Sequence, residues 1–165
     1  MIPTAILTIS DSVVRGTRED RSGGDLRERV LALGWTVHSR AVVADEEDQI
    51  AAKLKEIADG GEVSLILTTG GTGVALRDVT PEATRLVIDR EIPGVAETMR
   101  SEGRKATRFA VLSRGIAGTR GSVLIVNLPG SPKGAVESLD AIADLIPHMA
   151  DLLHGKTEHA GAREN

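Results

Sequence analysis

Short aliphatic runs alternate with longer amphipathic stretches along this chain. Ala5-Ile6-Leu7-Thr8-Ile9 predicts a buried strand, ended by the polar turn Ser10-Asp11-Ser12. Leu26, Val30, Leu31 and Leu33 then fall at helical spacing, and Gly34 closes that helix. Trp35 to Val43 alternates as a second strand, with Trp35 read as core. Ile50, Leu54 and Ile57 mark a second helix stopped by Gly60-Gly61, and Val63-Ser64-Leu65-Ile66-Leu67 is a third, buried strand. Thr80-Pro81-Glu82-Ala83 opens another helix, with Thr80 as its cap and Pro81 at the first helical position. Phe109-Ala110-Val111-Leu112 and Val123-Leu124-Ile125-Val126 read as further strands. Ser131-Pro132 starts a last helix that runs to about Leu153.

Strands separated by helices, with few polar positions inside the strands, predict an α/β fold. Its sheet is mostly parallel and covered by helices on both faces. The stretch from Gly115 to Gly121 is too short for a crossover helix and suits a hairpin, so an antiparallel edge strand is expected among the last strands. The 165 residues fit one domain, assigned to residues 1–154, followed by a flexible polar tail over 155–165. A chain of this size buries roughly 68–70% of its unfolded surface and needs no metal or disulfide to hold a core.

Composition removes whole classes of function. With no Cys there is no disulfide framework, thiolate zinc site, iron–sulfur cluster or cysteine nucleophile. One Trp and one Phe give no stacking platform for single-stranded nucleic acid, and a net charge of −4 disfavours duplex DNA. No apolar run reaches the roughly 18–20 residues that span a bilayer. The start, Met1-Ile2-Pro3-Thr4, lacks a basic leader, so a cytoplasmic protein without nucleic-acid or membrane partners is expected. The net charge also hides a segregation. Arg100 to Arg120 holds six basic residues and one acidic, whereas Ala41 to Glu62 holds seven acidic and two basic. Two solvated faces of opposite sign give such a pattern, and so does a basic wall facing an anionic ligand.

In open parallel sheets, ligands bind beyond the carboxyl ends of the strands. Those ends carry Ser10-Asp11-Ser12, Asp45, Thr68-Thr69-Gly70-Gly71-Thr72-Gly73 and Asn127-Leu128-Pro129-Gly130-Ser131-Pro132-Lys133. The glycine–threonine loop is the most informative. Glycines permit positive φ and close backbone approach, so successive N–H groups can face an anion, and threonine hydroxyls add donors. It lacks the Gly-Lys-Thr ending of a Walker A loop and is not Gly-x-Gly-x-x-Gly. A tight turn accounts for one or two glycines; three glycines with three threonines point to phosphate. Asp45 and Asp78 are the carboxylate candidates. Each has a local use, as an N-cap or a loop residue bonding nearby amides, but beside a phosphate loop they suit Mg²⁺ or a substrate donor. Ser131-Pro132-Lys133 opens a helix whose N-terminus suits an anion, with Lys133 adding a full charge. Ser113-Arg114 ends the fourth predicted strand within the basic stretch.

As a set these motifs are specific. Thr8-Ile9-Ser10-Asp11-Ser12, Ser22-Gly23, Thr69-Gly70-Gly71-Thr72-Gly73, Arg77-Asp78-Val79-Thr80-Pro81-Glu82-Ala83, Leu112-Ser113-Arg114 and Asn127-Leu128-Pro129-Gly130-Ser131-Pro132-Lys133 resemble the MogA/MoaB family of molybdenum-cofactor biosynthesis. The resemblance covers about residues 4–153. It implies a three-layer molybdopterin-binding α/β fold assembled as a homotrimer, hexamer or other oligomer. It further implies ATP- and Mg²⁺-dependent adenylylation of molybdopterin, giving adenylyl-molybdopterin and pyrophosphate. Other molybdenum-cofactor biosynthesis proteins are implied as partners. The alternative within the family is a MoaB-type molybdopterin carrier of the same fold without that activity. By position, Asp45, Asp78 and Ser113 match the catalytic residues of the active branch. Substrate binding falls to Ser10, Asp11, Ser12, Gly23 and the loop Thr69, Gly70, Gly71, Thr72, Gly73. Pro129, Gly130 and Ser131 join them, with Arg114 and Lys133 placed to stabilise phosphate charge. The resemblance leaves the metal ligands unassigned.

Overall fold

The aliphatic and amphipathic segments, Phe109–Leu112 excepted, become the frame that carries the site. The computed structural model describes residues 1–157; of the tail expected over 155–165, all beyond Thr157 lies outside the described residues. In chain order the elements are β1 (Pro3–Ile9), α1 (Asp11–Val14), α2 (Arg21–Ala32), β2 (Thr36–Val43), α3 (Glu47–Asp59), β3 (Leu65–Thr69) and α4 (Thr80–Arg85). Then come β4 (Arg90–Glu91), α5 (Pro93–Arg104), a 3₁₀ turn (Arg108–Leu112), β5 (Ala117–Arg120), β6 (Val123–Leu128), α6 (Pro132–Ile142) and α7 (Ile146–Leu153).

The strands form one sheet in the order β2-β1-β3-β6-β5-β4. β2, β1, β3 and β6 run parallel, whereas β5 is antiparallel to β6 and β4 to β5. The expected fold class is therefore observed: a mixed, mostly parallel sheet with an antiparallel edge and helices on both faces. Side chains alternate across the sheet because the strand repeat is two residues. Ile6, Leu65, Leu67 and Leu124 pack with α2, α5 and α6 on one face, while Leu7, Ile66 and Ile125 pack with α3 on the other. Among the described residues no helix is long and apolar enough to cross a membrane.

Several local expectations are corrected. Phe109–Leu112 is not a strand but part of the 3₁₀ turn, with none of its residues buried and Phe109 67% exposed. A four-residue apolar run has too little length to reveal its period. Its place in the sheet is taken by Ala117-Gly118-Thr119-Arg120, which joins β6 through the two-residue turn Gly121-Ser122, Gly121 having φ +54°. Gly118 is needed there, since a Cβ would stand 2.6 Å from the Arg90 carbonyl. Thr80 does not cap α4. It is the first helical residue, and its hydroxyl donates instead to Gly70 O (2.9 Å). Nor does Asp45 cap α3, whose N-cap position is Glu46. The last helix is two helices, because Pro147 near the start of α7 cannot donate into a continuous ladder. α1, β4 and α5 escaped the pattern reading; α5 in particular contains Gly94 and Gly103 and few apolar residues.

Candidate active site

β1 passes to β2 on one side and, after α3, the chain crosses to β3 on the other, so the sheet order reverses between β1 and β3. At such a point the loops leaving the two strands diverge and open a crevice. Here those loops are Ser10-Asp11-Ser12 and the segment from Gly70 to Val79.

The first loop is fixed by exchanged hydrogen bonds. Asp11 N–H donates to the Asp45 carboxylate (2.9 Å) and Asp45 N–H donates to the Asp11 carboxylate (3.0 Å). This pairing ties the ends of β1 and β2 together. Ser10 caps the short α1 by accepting from Val13 N–H, and its hydroxyl lies 3.1 Å from that of Ser12. Arg77 reaches across from the glycine loop, donating to both Asp11 oxygens (2.7 and 3.1 Å) and to Glu46 (3.0 Å). This guanidinium holds the Asp11 carboxyl below the usual carboxylate range.

Asp45 is shifted the other way. Partial burial raises its carboxyl, and the charges of Asp11 and Asp78 add to the effect against the hydrogen bond from Asp11 N–H. A carboxyl raised in the folded state binds protons more readily there than in the unfolded chain. Its contribution to stability is present below about pH 4, the ordinary Asp value, and is lost as pH rises through the raised pKa. Asp45→Asn keeps an acceptor for Asp11 N–H and removes that titration. In buffer free of divalent ions, its Tm relative to the parent is expected to climb as pH rises from about 4 to about 7. Melting curves across that range check this; a difference that stays flat or falls counts against it.

The second loop is knitted from backbone. Gly70 N–H donates to Leu128 O (3.2 Å), Thr80 N–H to Gly71 O (3.1 Å) and Ala75 N–H to the Asp78 carboxylate (3.0 Å). Gly70 (φ +103°) and Gly71 (φ +69°) occupy the left-handed region. The Thr69 hydroxyl donates to Pro129 O (2.7 Å), which joins this loop to the turn after β6. Among the described residues, the N–H groups of Gly71, Thr72 and Gly73 donate to no other group. The free donors of the loop are thus these amides and the Thr72 hydroxyl, whereas the Thr69 hydroxyl is committed internally.

Two cavities meet at these loops. One, of about 520 Å³, is lined by Thr72, Asp78, Met99, Arg100, Phe109, Leu112, Ser113 and Asn127 among others. The other, of about 780 Å³, is lined by Ser10, Asp11, Ser12, Asp45, Thr69 and Gly70, with Arg15, Arg18 and Arg21 on its rim. Gly71, Asp78, Gly130 and Ser131 line both. Ser131 also caps α6, its hydroxyl accepting from Gly134 N–H (3.1 Å), so the helix start faces the junction. Asn127 forms part of the first cavity's floor. Buried, it accepts from Ile116 N–H and donates to Thr68 and Thr84 hydroxyls.

Most residues singled out from sequence therefore converge. Asp78 borders both cavities, Asp45 only the second, and Ser113, Gly73 and Pro129 only the first. Three lie apart. Lys133 lines neither cavity; its side chain is 85% exposed and 3.7 Å from Glu137. Arg114 lines neither, and its guanidinium is bonded to Gly73 O, Asp78 O and Glu82. Gly23 is buried behind the second cavity, where a Cβ would meet Asp20 at 2.3 Å and the Thr8 hydroxyl at 2.6 Å. Its neighbour Gly24 has nothing within 4 Å of that position. Adjacent substitutions should then act in opposite directions. Gly24→Ala is expected to stabilise by about 0.5–1 kcal/mol through helix propensity, and Gly23→Ala to destabilise by about 1–3 kcal/mol through overpacking. Urea titration of both variants is the check, and equal signs would contradict the packing.

The basic stretch from Arg100 to Arg120 does not make one wall. Arg120 pairs with Asp59, Lys105 with Glu102 and Arg114 with Glu82; Arg104 and Arg108 line neither cavity, and Arg100 alone of the six lines one. Arg100 is held by donating to Ser113 O (3.3 Å) and Gly115 O (2.9 Å). Its charge was visible in the sequence, but not its direction, because α5 itself was not.

Comparison with known proteins places this geometry. Residues 5–148 match a family model described as a probable molybdopterin binding domain. A molybdopterin adenylyltransferase of Helicobacter pylori strain J99 is 43% identical, over 93% of this chain and 89% of that protein. The molybdenum cofactor synthesis protein cinnamon of Drosophila melanogaster is 42% identical over 92% of this chain, which spans only 26% of that longer protein. A crystal structure of the molybdopterin biosynthesis enzyme MoaB from Thermus thermophilus superposes with a TM-score of 0.89 at 49% identity, covering 94% of this chain and 98% of that one. With the family model, the sequence identity and the fold in agreement, this chain belongs to the molybdopterin-binding MogA/MoaB family of molybdenum-cofactor biosynthesis.

Proposed function

We propose that this protein is a molybdopterin adenylyltransferase. An oxygen of the molybdopterin terminal phosphate attacks the α-phosphorus of ATP, the bond from that phosphorus to the β-phosphate bridge oxygen breaks, and pyrophosphate leaves. The observation that carries this reading is the pair of cavities joined at Gly71, Asp78, Gly130 and Ser131. Two substrates entering separately would bring their phosphates together at that shared wall.

A phosphate monoester is already anionic near neutral pH, so no strong base is required and positioning carries the rate. The unpartnered amides of Gly71, Thr72 and Gly73 and the start of α6 supply donors for phosphate oxygens. Ser113, which lines the smaller cavity together with Asp78, is assigned to the reacting phosphate there. Among the described residues no cluster of three or more His, Cys, Asp or Glu side chains forms a cage for a metal. Mg²⁺ typically takes one or two carboxylates and completes its shell with substrate phosphates and water. Asp45 and Asp78 both line the larger cavity and would hold it there, where it would offset charge on the ATP phosphates. A cytoplasmic location, partners in cofactor biosynthesis, and a homotrimer or hexamer complete the reading.

The test is incubation of the purified protein with molybdopterin, ATP and Mg²⁺. Adenylyl-molybdopterin and pyrophosphate are expected in equal amounts. Molybdopterin binding with no pyrophosphate release selects the carrier reading instead.

A further inference from the structure

Between Thr72 and Thr80 the glycine loop buries no side chain; Val74 is 71% and Leu76 99% exposed. Val79 alone packs, partly buried, against the core on the α3 face, so residues 73–78, which hold both Gly73 and Asp78, are fixed by polar contacts. Arg114 provides three of them, as many as Arg77 sends from within the loop to Asp11 and Glu46. Its backbone N–H donates to Thr72 O (2.8 Å), its Nε to Gly73 O (2.7 Å) and one Nη to Asp78 O (2.7 Å). The remaining donors meet the Glu82 carboxylate on α4. One side chain thus grips the loop at its beginning and at its end, and Glu82 aims that side chain. Neither Arg114 nor Glu82 lines either cavity.

We propose that Arg114 is a positioning residue rather than a phosphate ligand. With Glu82 it closes a clamp on residues 72–78, which sets the unpartnered loop amides and the Asp78 carboxylate at the junction of the cavities. The proposal rests on the adenylyltransferase reading for its kinetic consequence, but the clamp itself is a property of the substrate-free protein. A guanidinium has five N–H groups in a fixed fork, and Gly73, Asp78 and Glu82 engage four of them. Turning the fork to grip a phosphate with two N–H groups would give up at least one of those contacts. The pair is about two-fifths exposed, with side-chain accessibilities of 37% and 43%, so it adds little to global stability and acts locally.

The experiment compares Arg114→Ala, Arg114→Lys, Glu82→Ala and the Arg114→Ala/Glu82→Ala double variant with the parent protein. Amide hydrogen exchange without substrates is expected to rise about tenfold or more at Ala75 and Asp78, the bonded amides of the loop, in Arg114→Ala and Glu82→Ala, with the sheet unchanged. In the adenylylation assay kcat should fall about tenfold or more while KM for ATP and for molybdopterin stays within about twofold. The double variant should be no worse than Arg114→Ala alone, because both remove one device. Arg114→Lys should recover part of kcat. Unchanged exchange at Ala75 and Asp78 overturns the clamp. So does a large rise in KM for ATP in Arg114→Ala with Glu82→Ala unaffected, the signature of direct phosphate contact. Should Arg114→Ala fail to fold, Glu82→Ala and Arg114→Lys decide the question on the same two readouts. A parent protein that makes no adenylyl-molybdopterin defeats the functional reading alone, since the exchange measurement still tests the clamp.

Discussion

Replacing Asp78 by Asn is expected to lower adenylylation turnover by roughly 10²–10³-fold, the range seen when one preorganised electrostatic partner of a reacting centre is lost. Stability should barely move. The Asp78 carboxylate accepts a single local bond from Ala75 N–H (3.0 Å), which an Asn side-chain oxygen can also accept. A surface-type change of this kind stays within about 1 kcal/mol, or roughly 2–4 °C in Tm for a chain of this length. Asp78 is singled out over Asp45 because it faces both cavities, whereas Asp45 faces one. Pyrophosphate release and thermal melting measured on the same preparation check the split. Equal loss of activity and stability would make Asp78 a structural residue; unaltered turnover would remove it from the chemistry.

The second large effect is on folding. At Gly70 the backbone passes so close to the end of β1 that a Cβ would stand 2.3 Å from the Ile9 carbonyl oxygen, and its φ is +103°. Neither problem can be relieved by a side-chain rotation, since the neighbour is a backbone atom of a central strand. Gly70 N–H is also bonded to Leu128 O, so the residue cannot move without loosening β3 from β6. Gly70→Ala is therefore expected to cost about 3–5 kcal/mol, from backbone strain and overpacking together. At about 2–4 °C per kcal/mol this lowers Tm by roughly 10 °C. Calorimetry would show it directly. A variant melting within about 2 °C of the parent would mean that the loop does not thread between the two strands as described.

These two positions show how differently parts of the site could be read. Gly70, Gly71 and Asp78 stand out as letters, because a cluster of glycines after an aliphatic run already demands unusual backbone and close approach. β1, β3 and β6 are equally legible, as uninterrupted aliphatic runs that only a sheet covered on both faces can bury. The edge was not. Ala117-Gly118-Thr119-Arg120 has no apolar periodicity, and it is a strand because β6 and β4 offer it partners. Phe109-Ala110-Val111-Leu112 has the composition of a strand but lacks such a partner, and turns instead at the mouth of a cavity.

The same limit governs the individual donors. Thr69 and Arg114 are both reasonable phosphate ligands by residue type, and a sequence has no way to tell a free donor from a used one. Folding brings Pro129 to Thr69 across 60 positions and Gly73 to Arg114 across 41, and those carbonyls take the protons first. By itself the sequence determined the parallel strands, the layers that cover them and the loops that gather at the strand ends, because hydrophobic period and glycine content act locally. Only the tertiary structure decided which amides and carboxylates in those loops remain open to a ligand, because a hydrogen-bond donor is free or spent according to partners that chain order does not reveal.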